Sequence, residues 1–335
     1  MLGQTVNDLE CIVVNDGSPD TTREVAMRLA RGDPRVRYIE QVNRGLAAAR
    51  NRGLEEARGR FIQFLDADDI IAPDKLRIQT DILRAQSRWA VAYSDHRFCP
   101  KNDTSATVPS SDKVLPRFVM KKPLWDMAAR WETQLSIPIH SFLFDADLFR
   151  RTGISFDESL PTHEDWDCWM RILEVDPIVL HTPGELAIYR LHPDSMTTDQ
   201  WMMWRGFACA IRNRRRHFRG DPIVRDLLLE KLVELAGAYE EAREEAGGPS
   251  MRRTMGRAEA DCAVAVPGVG TPVHRPHVLE IRNRRGVVRR EESWLWIVVR
   301  LGTGFHDGPA VCSGHRDDDT CASDRAPGDP GLGRL

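Results

Sequence analysis

The segment Asp66-Ala67-Asp68-Asp69 sets two carboxylates one small residue apart. Such a D-x-D pair, where a strand enters a loop, can hold a hard divalent cation and leave its other positions to phosphate oxygens. The same acids could instead cap a following helix. A second group is Val14-Asn15-Asp16-Gly17-Ser18-Pro19-Asp20. Gly17 allows a tight turn there, Asp16 can accept a hydrogen bond from a base or a ribose hydroxyl, and a helix N-terminus nearby favours negative charge. An ordinary strand, turn and polar helix cap would read the same way. The third group is Asn43-Arg44-Gly45-Leu46-Ala47-Ala48-Ala49-Arg50-Asn51, a polar turn opening a helix. Its small alanines let the helix approach a sheet closely, and Arg50 either reaches a diphosphate or lies in solvent.

All three groups depend on strands and helices that alternate. From Leu9 to Asp95, short β-rich runs alternate with helical stretches, which predicts α/β units around a mostly parallel sheet. Strands are expected at Leu9 to Val14, Val36 to Glu40, Phe61 to Leu65 and Ala90 to Ser94. Helices are expected from near Asp20, from Gly45 through Ala57, and from Asp74 to Arg84, with Pro73 in the first turn of the last. The apolar strand before Asp66 ends where α/β sheets bind ligands, at a strand's carboxyl end. Residues 101–112 lack any period and read as a flexible loop. Two further helices are expected at Met202 to Arg219 and Ile223 to Ala246.

Composition narrows the class. The 335 residues carry 47 basic and 50 acidic side chains, a net charge of -3, so no global field points to nucleic acid. Seven scattered cysteines without a C-x-x-C pair argue against a zinc cluster and against a disulfide framework. No run reaches the roughly 18 apolar residues of a membrane helix, and no leader-like segment opens the chain. A cytoplasmic protein is expected, with a place at the inner face of the membrane left open.

Taken together, N-D-G-S-x-D after a strand, then N-x-G-x-x-x-A-R-N, then a strand with D-A-D-D, resemble the nucleotide-sugar-binding half of family 2 inverting glycosyltransferases of GT-A fold. The resemblance implies that Asp16 contacts the base, with Gly17, Ser18, Asn43, Gly45 and Arg50 around the donor. It implies that Asp66 helps hold the nucleoside, and that Asp68 ligates the manganese or magnesium ion bridging the diphosphate. It continues at Thr162-His163-Glu164-Asp165-Trp166-Asp167-Cys168-Trp169-Met170-Arg171, similar to the family's E-D-x-D-x-W-x-R segment, whose acid deprotonates the acceptor hydroxyl. Asp165 is the first choice for that base and Glu164 the second. Tyr189-Arg190-Leu191-His192-Pro193-Asp194-Ser195 resembles a Y-R-x-H-x-x-S segment lying over the diphosphate, with His192 a metal or phosphate contact and Arg190 a charge partner. The implied reaction is transfer of a sugar from a UDP- or dTDP-linked donor to an acceptor hydroxyl, with inversion. The acceptor would be a glycan, a lipid-linked molecule or a small molecule.

The likeness covers roughly residues 2 to 200 and lacks the family's first strand. That strand would be central, so its absence is expected to expose hydrogen-bonding edges and to leave the chain poorly stable or inactive. The expected organisation is a GT-A-type, Rossmann-like domain over 1–200, a helical extension over 201–260 and a tail over 261–335. Rich in glycine, proline, arginine and aspartate, the tail reads as disordered or frameshifted, with one short apolar run from Trp294 to Leu301. The run Arg212, Arg214, Arg215, Arg216, His217 reads as a solvated face or a membrane-surface contact. Two rivals stand beside the transferase: a non-catalytic remnant, and a nucleotidyltransferase, whose glycine-rich basic phosphate loop is missing.

Overall fold

A computed structural model describes residues 1–108, 116–193, 195–246 and 295–301 of the chain. Its strands are β1 (Leu9–Asn15), β2 (Val36–Glu40), β3 (Phe61–Asp66), β4 (Ile70–Ile71), β5 (Ala90–Pro100), β6 (Phe142–Asp145), β7 (Ile178–Leu191) and β8 (Leu295–Leu301). Its α-helices are α1 (Thr22–Gly32), α2 (Leu46–Glu56), α3 (Lys75–Arg84), α4 (Pro123–Ala129), α5 (Asp147–Arg150), α6 (Glu164–Glu174), α7 (Gln200–His217) and α8 (Pro222–Ala246). The early elements fall where the alternation of apolar runs places them, with ends shifted by a residue or two.

The sheet order is β2-β1-β8-β3-β6-β5-β7-β4. Pairing is parallel between β1 and β2 and between β5 and β7, and antiparallel elsewhere. It follows that β1, β2, β3, β5 and β7 run one way and β4, β6 and β8 run against them. Side chains alternate across this sheet with the period of two that a strand imposes. Ile12, Val14, Ile62, Phe64, Val91 and Phe144 enter one core with α2, α4 and α6. Leu9, Cys11, Val13, Phe61, Leu65 and Leu143 enter the other, against α1 and α3. Helices therefore cover both faces. The first core is aromatic: Trp169 stacks on Phe144 at 4.4 Å, and Phe156 meets Phe64 edge-on at 5.1 Å.

Two expectations change. β5 runs six residues beyond Ser94, to Pro100, because it follows β7 in parallel register through a bulge near Asp95. The first half of the expected flexible loop then folds back: the Arg97 guanidinium donates to the carbonyls of Thr104 and Ala106, and Val108 bridges Phe98. Residues 109–115 lie outside the described residues.

The larger change concerns the tail. The edge expected to stand open is filled: β8, within the segment read as disordered or frameshifted, lies between β1 and β3, antiparallel to both. Its short apolar run was the one strand-like feature there, and two neighbouring strands with unmet backbone groups give such a run a place. The rest of 261–335 lies outside the described residues.

α7 reaches the first core through Phe207, Ala210 and Ile211. Its Gly206 passes so close to Thr162 that a Cβ there would sit 1.8 Å from the threonine Oγ1. Gly206→Ala is therefore expected to push α7 away from the start of α6, costing about 1–3 kcal/mol. A thermal melt would read this as a lowered Tm, and an unchanged Tm would show that the helices give way freely.

Candidate active site

Asp16 follows β1 and is buried, with three hydrogen bonds on its carboxylate. Oδ1 accepts from the Arg44 backbone N–H at 2.9 Å and from Gln41 Nε2 at 2.8 Å, while Oδ2 accepts from the Gly45 N–H at 2.8 Å. The second and third sequence groups are thus one structure, in which Asp16 holds the turn Asn43–Gly45 at the start of α2. Gly17 has φ +77°, and a Cβ on it would lie 3.0 Å from the Asn43 nitrogen, so the turn and the strand end can approach only with glycine there. Gly45, at φ +88°, caps α2. The Ser18 N–H donates to Asn15 Oδ1 at 2.9 Å, leaving its hydroxyl buried without a partner among the described residues.

Arg50 lies neither at the surface nor in an open position for a diphosphate. It is 3 % exposed, because the alanine face of α2 packs on the sheet and carries the arginine inward. Its Nη1 donates to Glu164 Oε1 at 2.5 Å, its Nη2 lies 3.3 Å from Asp66 Oδ1, and its guanidinium sits 5.4 Å from the Phe156 ring centre. This buried chain ties the end of β3 to the start of α6. Burial raises the Asp66 carboxyl to about 7, with Arg50 pulling it down and Asp69 and Asp68 adding to the rise. Burial likewise raises Glu164, against the pull of Arg50.

The register of β4 on β7 assembles the next layer. Ile70 pairs with Ile188, which sets Arg190 and His192 beside the acidic loop. The Arg190 N–H donates to Asp69 Oδ1 at 2.9 Å, its side-chain Nε donates to the Asp68 carbonyl, and His192 Nε2 lies 2.7 Å from Asp68 Oδ2. Arg190 therefore braces the loop. Behind Asp69 lies the buried His140, whose Nδ1 is 3.0 Å from Oδ2. Nothing in the sequence flagged His140, a lone histidine between Ile139 and Ser141; its contact comes from tertiary packing alone.

Asp68 and His192 are the pair named for a cation. Among the described residues no three His, Cys, Asp or Glu side chains gather into a ready cage. Two protein donors suit a cation that draws its remaining ligands from water and substrate phosphates, as magnesium commonly does. His192 Nδ1 is buried and makes no hydrogen bond among the described residues. A carboxylate and an imidazole already side by side fit such an ion.

Of the two acids offered as base, Glu164 is buried and committed to Arg50, whereas Asp165 is half-buried and accepts a 2.7 Å bond from the Trp166 N–H. Both open α6, where the helix dipole favours negative charge. His163, directly before them, is in the left-handed region at φ 62° and stacks on Phe207 at 4.4 Å. Its Nε2 lies 3.5 Å from Glu132, itself at φ 67°. Neither was singled out in the sequence, since positive φ at a non-glycine residue leaves no compositional mark.

Residues 1–121 match the model of glycosyl transferase family 2. Over that stretch the chain is similar to glycosyl transferase family 2. The chain is 32 % identical over 200 residues to the uncharacterised glycosyltransferase EpsJ of Bacillus subtilis, covering 59 % of this chain and 57 % of that one. It is 30 % identical over 176 residues to the chondroitin synthase of Escherichia coli, covering 52 % of this chain and 24 % of the synthase. It thus spans only part of the length of these relatives. Its fold is similar to that of S. aureus TarS 1-349, solved with UDP, at TM-score 0.54 and 17 % identity over 79 % of this chain and 74 % of that chain. The mannosyltransferase PcManGT from Pyrobaculum calidifontis, solved with GDP-Man and Mn2+, matches at TM-score 0.51 and 17 % identity, covering 78 % and 74 %. The chain has the GT-A-type α/β fold.

Proposed function

We propose that this chain transfers a sugar from a nucleotide-diphosphate donor, UDP- or dTDP-linked, to an acceptor hydroxyl with inversion at the anomeric carbon. The observation that carries this reading is the chain Asp66–Arg50–Glu164, which fixes the strand end bearing Asp68 to the helix start bearing Asp165. Asp165 takes the proton from the acceptor hydroxyl, which is a poor nucleophile while protonated; a placed carboxylate supplies about a hundredfold or more. Asp68 and His192 would hold a manganese or magnesium ion, which when bound neutralises charge developing on the departing diphosphate. Asp16 acts by shaping the turn from Asn43 to Gly45 beside the nucleoside, and Arg190 by holding the acidic loop under the phosphates. Direct displacement by a hydroxyl deprotonated on the far side of the sugar gives inversion.

The solved relatives TarS and PcManGT carry UDP and GDP-Man respectively, which supports a nucleotide-linked donor. The acceptor is a glycan, a lipid-linked molecule or a small hydroxyl compound; nucleic acid is not expected. A place in the cytoplasm, at the inner face of a membrane, belongs to the same reading; among the described residues no helix is long and apolar enough to cross a membrane.

Calorimetric titration of UDP into the full chain, with and without manganese, tests the donor site. Binding is expected to need the metal and to weaken at least tenfold in Asp68→Asn. Equal binding by wild type and variant, or none by a folded wild type, would remove the assignment.

A further inference from the structure

We propose that Glu132 and His163 form a clamp that fixes the start of α6 and so aims Asp165 at the acceptor hydroxyl. This rests on Asp165 being the base, and the two act through it as positioning residues. A helix start is ordinarily capped by Ser, Thr, Asp or Asn, whose side chain takes up a free backbone N–H. α6 has His163 in that place, and its ring makes no such bond. Its backbone instead stands at φ 62°, and that of Glu132 at φ 67°. Positive φ is costly at a residue with a side chain and persists where the surroundings over-determine it. Here two such residues meet, with His163 Nε2 3.5 Å from Glu132 Oε1. That nitrogen is buried and makes no hydrogen bond among the described residues, so the carboxylate is the group that faces it.

Each partner is held from behind. The Glu132 N–H donates to the Leu135 carbonyl at 2.9 Å, and the next residue, Thr133, accepts from the buried Lys231 of α8 at 2.7 Å. The His163 ring lies nearly parallel to Phe207 of α7, at 9°, and its Nδ1 is 2.9 Å from Thr162 Oγ1. The contact therefore joins the loop after α4 to the residue that opens α6. What this turn achieves shows in the burial around it: residues 162–164 and 166–170 are buried, and Asp165 between them is half-buried. Glu164 points inward to Arg50 while its neighbour keeps a face to solvent. A displacement of about 1 Å at a reacting group can cost about a hundredfold in rate, so the direction of this first turn matters. The Glu132 side chain is 45 % exposed, which lets it be changed without opening the core.

Amide hydrogen exchange on the full chain tests the clamp without any donor. In Glu132→Gln the first turn of α6, residues 164–168, is expected to exchange about tenfold faster, while β3 and α2 keep wild-type rates and Tm is unchanged. Turnover tests the aim, read as UDP release from UDP-glucose, UDP-galactose and UDP-N-acetylglucosamine with manganese and with water as acceptor. Glu132→Gln should lower kcat about tenfold, leaving donor KM and UDP affinity at wild-type values. Glu132→Asp keeps the carboxylate and tolerates positive φ better, so it should recover part of the loss. His163→Asn, which also tolerates that φ, should match Glu132→Gln, and the combined variant should lose no more than either alone. Wild-type exchange at the start of α6, or wild-type kcat in Glu132→Gln, overturns the proposal. So does a loss of kcat shared equally by UDP affinity, which would mark a general structural role. Asp165→Asn separates the two readings. If it turns over as wild type does, the base assignment falls and the role of the clamp with it. If it is inactive while Glu132→Gln is unimpaired, the clamp alone falls.

Discussion

Arg50→Met is expected to remove about 3–5 kcal/mol of stability, the cost of leaving buried carboxylates without their cation. Methionine keeps the unbranched stem of the side chain while removing the guanidinium that meets both acids and Phe156. Arg50 serves two acids that burial already raises, Glu164 and Asp66. Without it both are driven further up and bind protons in the folded state that they release on unfolding. The folded protein then holds more protons than the unfolded one, and stability falls as pH rises. The variant's Tm should therefore climb as pH is lowered from neutral toward the ordinary carboxylate range, before general acid unfolding sets in. Arg50→Lys, which restores a charge but not two-sided contact, should lie between. Thermal melts across pH decide it: a wild-type Tm in Arg50→Met, or a variant whose Tm does not respond to pH, would mean that the chain Asp66–Arg50–Glu164 does not hold the fold.

Ending the chain at residue 246 is expected to abolish cooperative unfolding. The register of β8 matches seven residues of β1, Leu9 to Asn15, and six of β3, Phe61 to Asp66. Backbone hydrogen bonds contribute about 1 kcal/mol each net, and buried groups left unpaired cost about 1–3 kcal/mol each. Losing both ladders therefore rivals the whole stability of an ordinary domain, about 5–15 kcal/mol. A narrower version is Val298→Pro, which deletes one donor at the middle of β8, opposite Ile12 and Phe64. It should lower Tm without abolishing the transition. Calorimetry of the shortened chain showing the full-length Tm and enthalpy would place the strand outside the folding unit.

Much of this architecture is legible in the residues. The apolar run Phe61 to Leu65 and the alternation around it mark β3 and its neighbours, and the D-A-D-D loop falls at the strand end that the pattern predicts. The meeting of Asp68 with His192 was reachable only through resemblance to a family, since 124 positions separate them and no local period links them. Arg50 shows where local reading stops. A basic residue on a helix is usually solvated, and only the joint burial of α2, α6 and the end of β3 turns it inward. Asp16 teaches the same lesson: its carboxylate is spent on the backbone of a turn 28 and 29 residues away. β8 could not be placed from sequence, because a short apolar run names no partner strands.

That placement also sets an order of events during synthesis. β3 ends at Asp66 and β8 begins at Leu295, so the ribosome completes the flanking strands long before it delivers the one that joins them. Until then β1 and β3 present two unfilled backbone edges, the kind of surface that chaperones hold and that neighbouring nascent chains can capture. Closure must bring together segments more than two hundred residues apart, a long-range contact of the sort that slows folding. Yield in a cell should therefore depend on how long the emerging chain is shielded, as well as on how stable the finished sheet becomes.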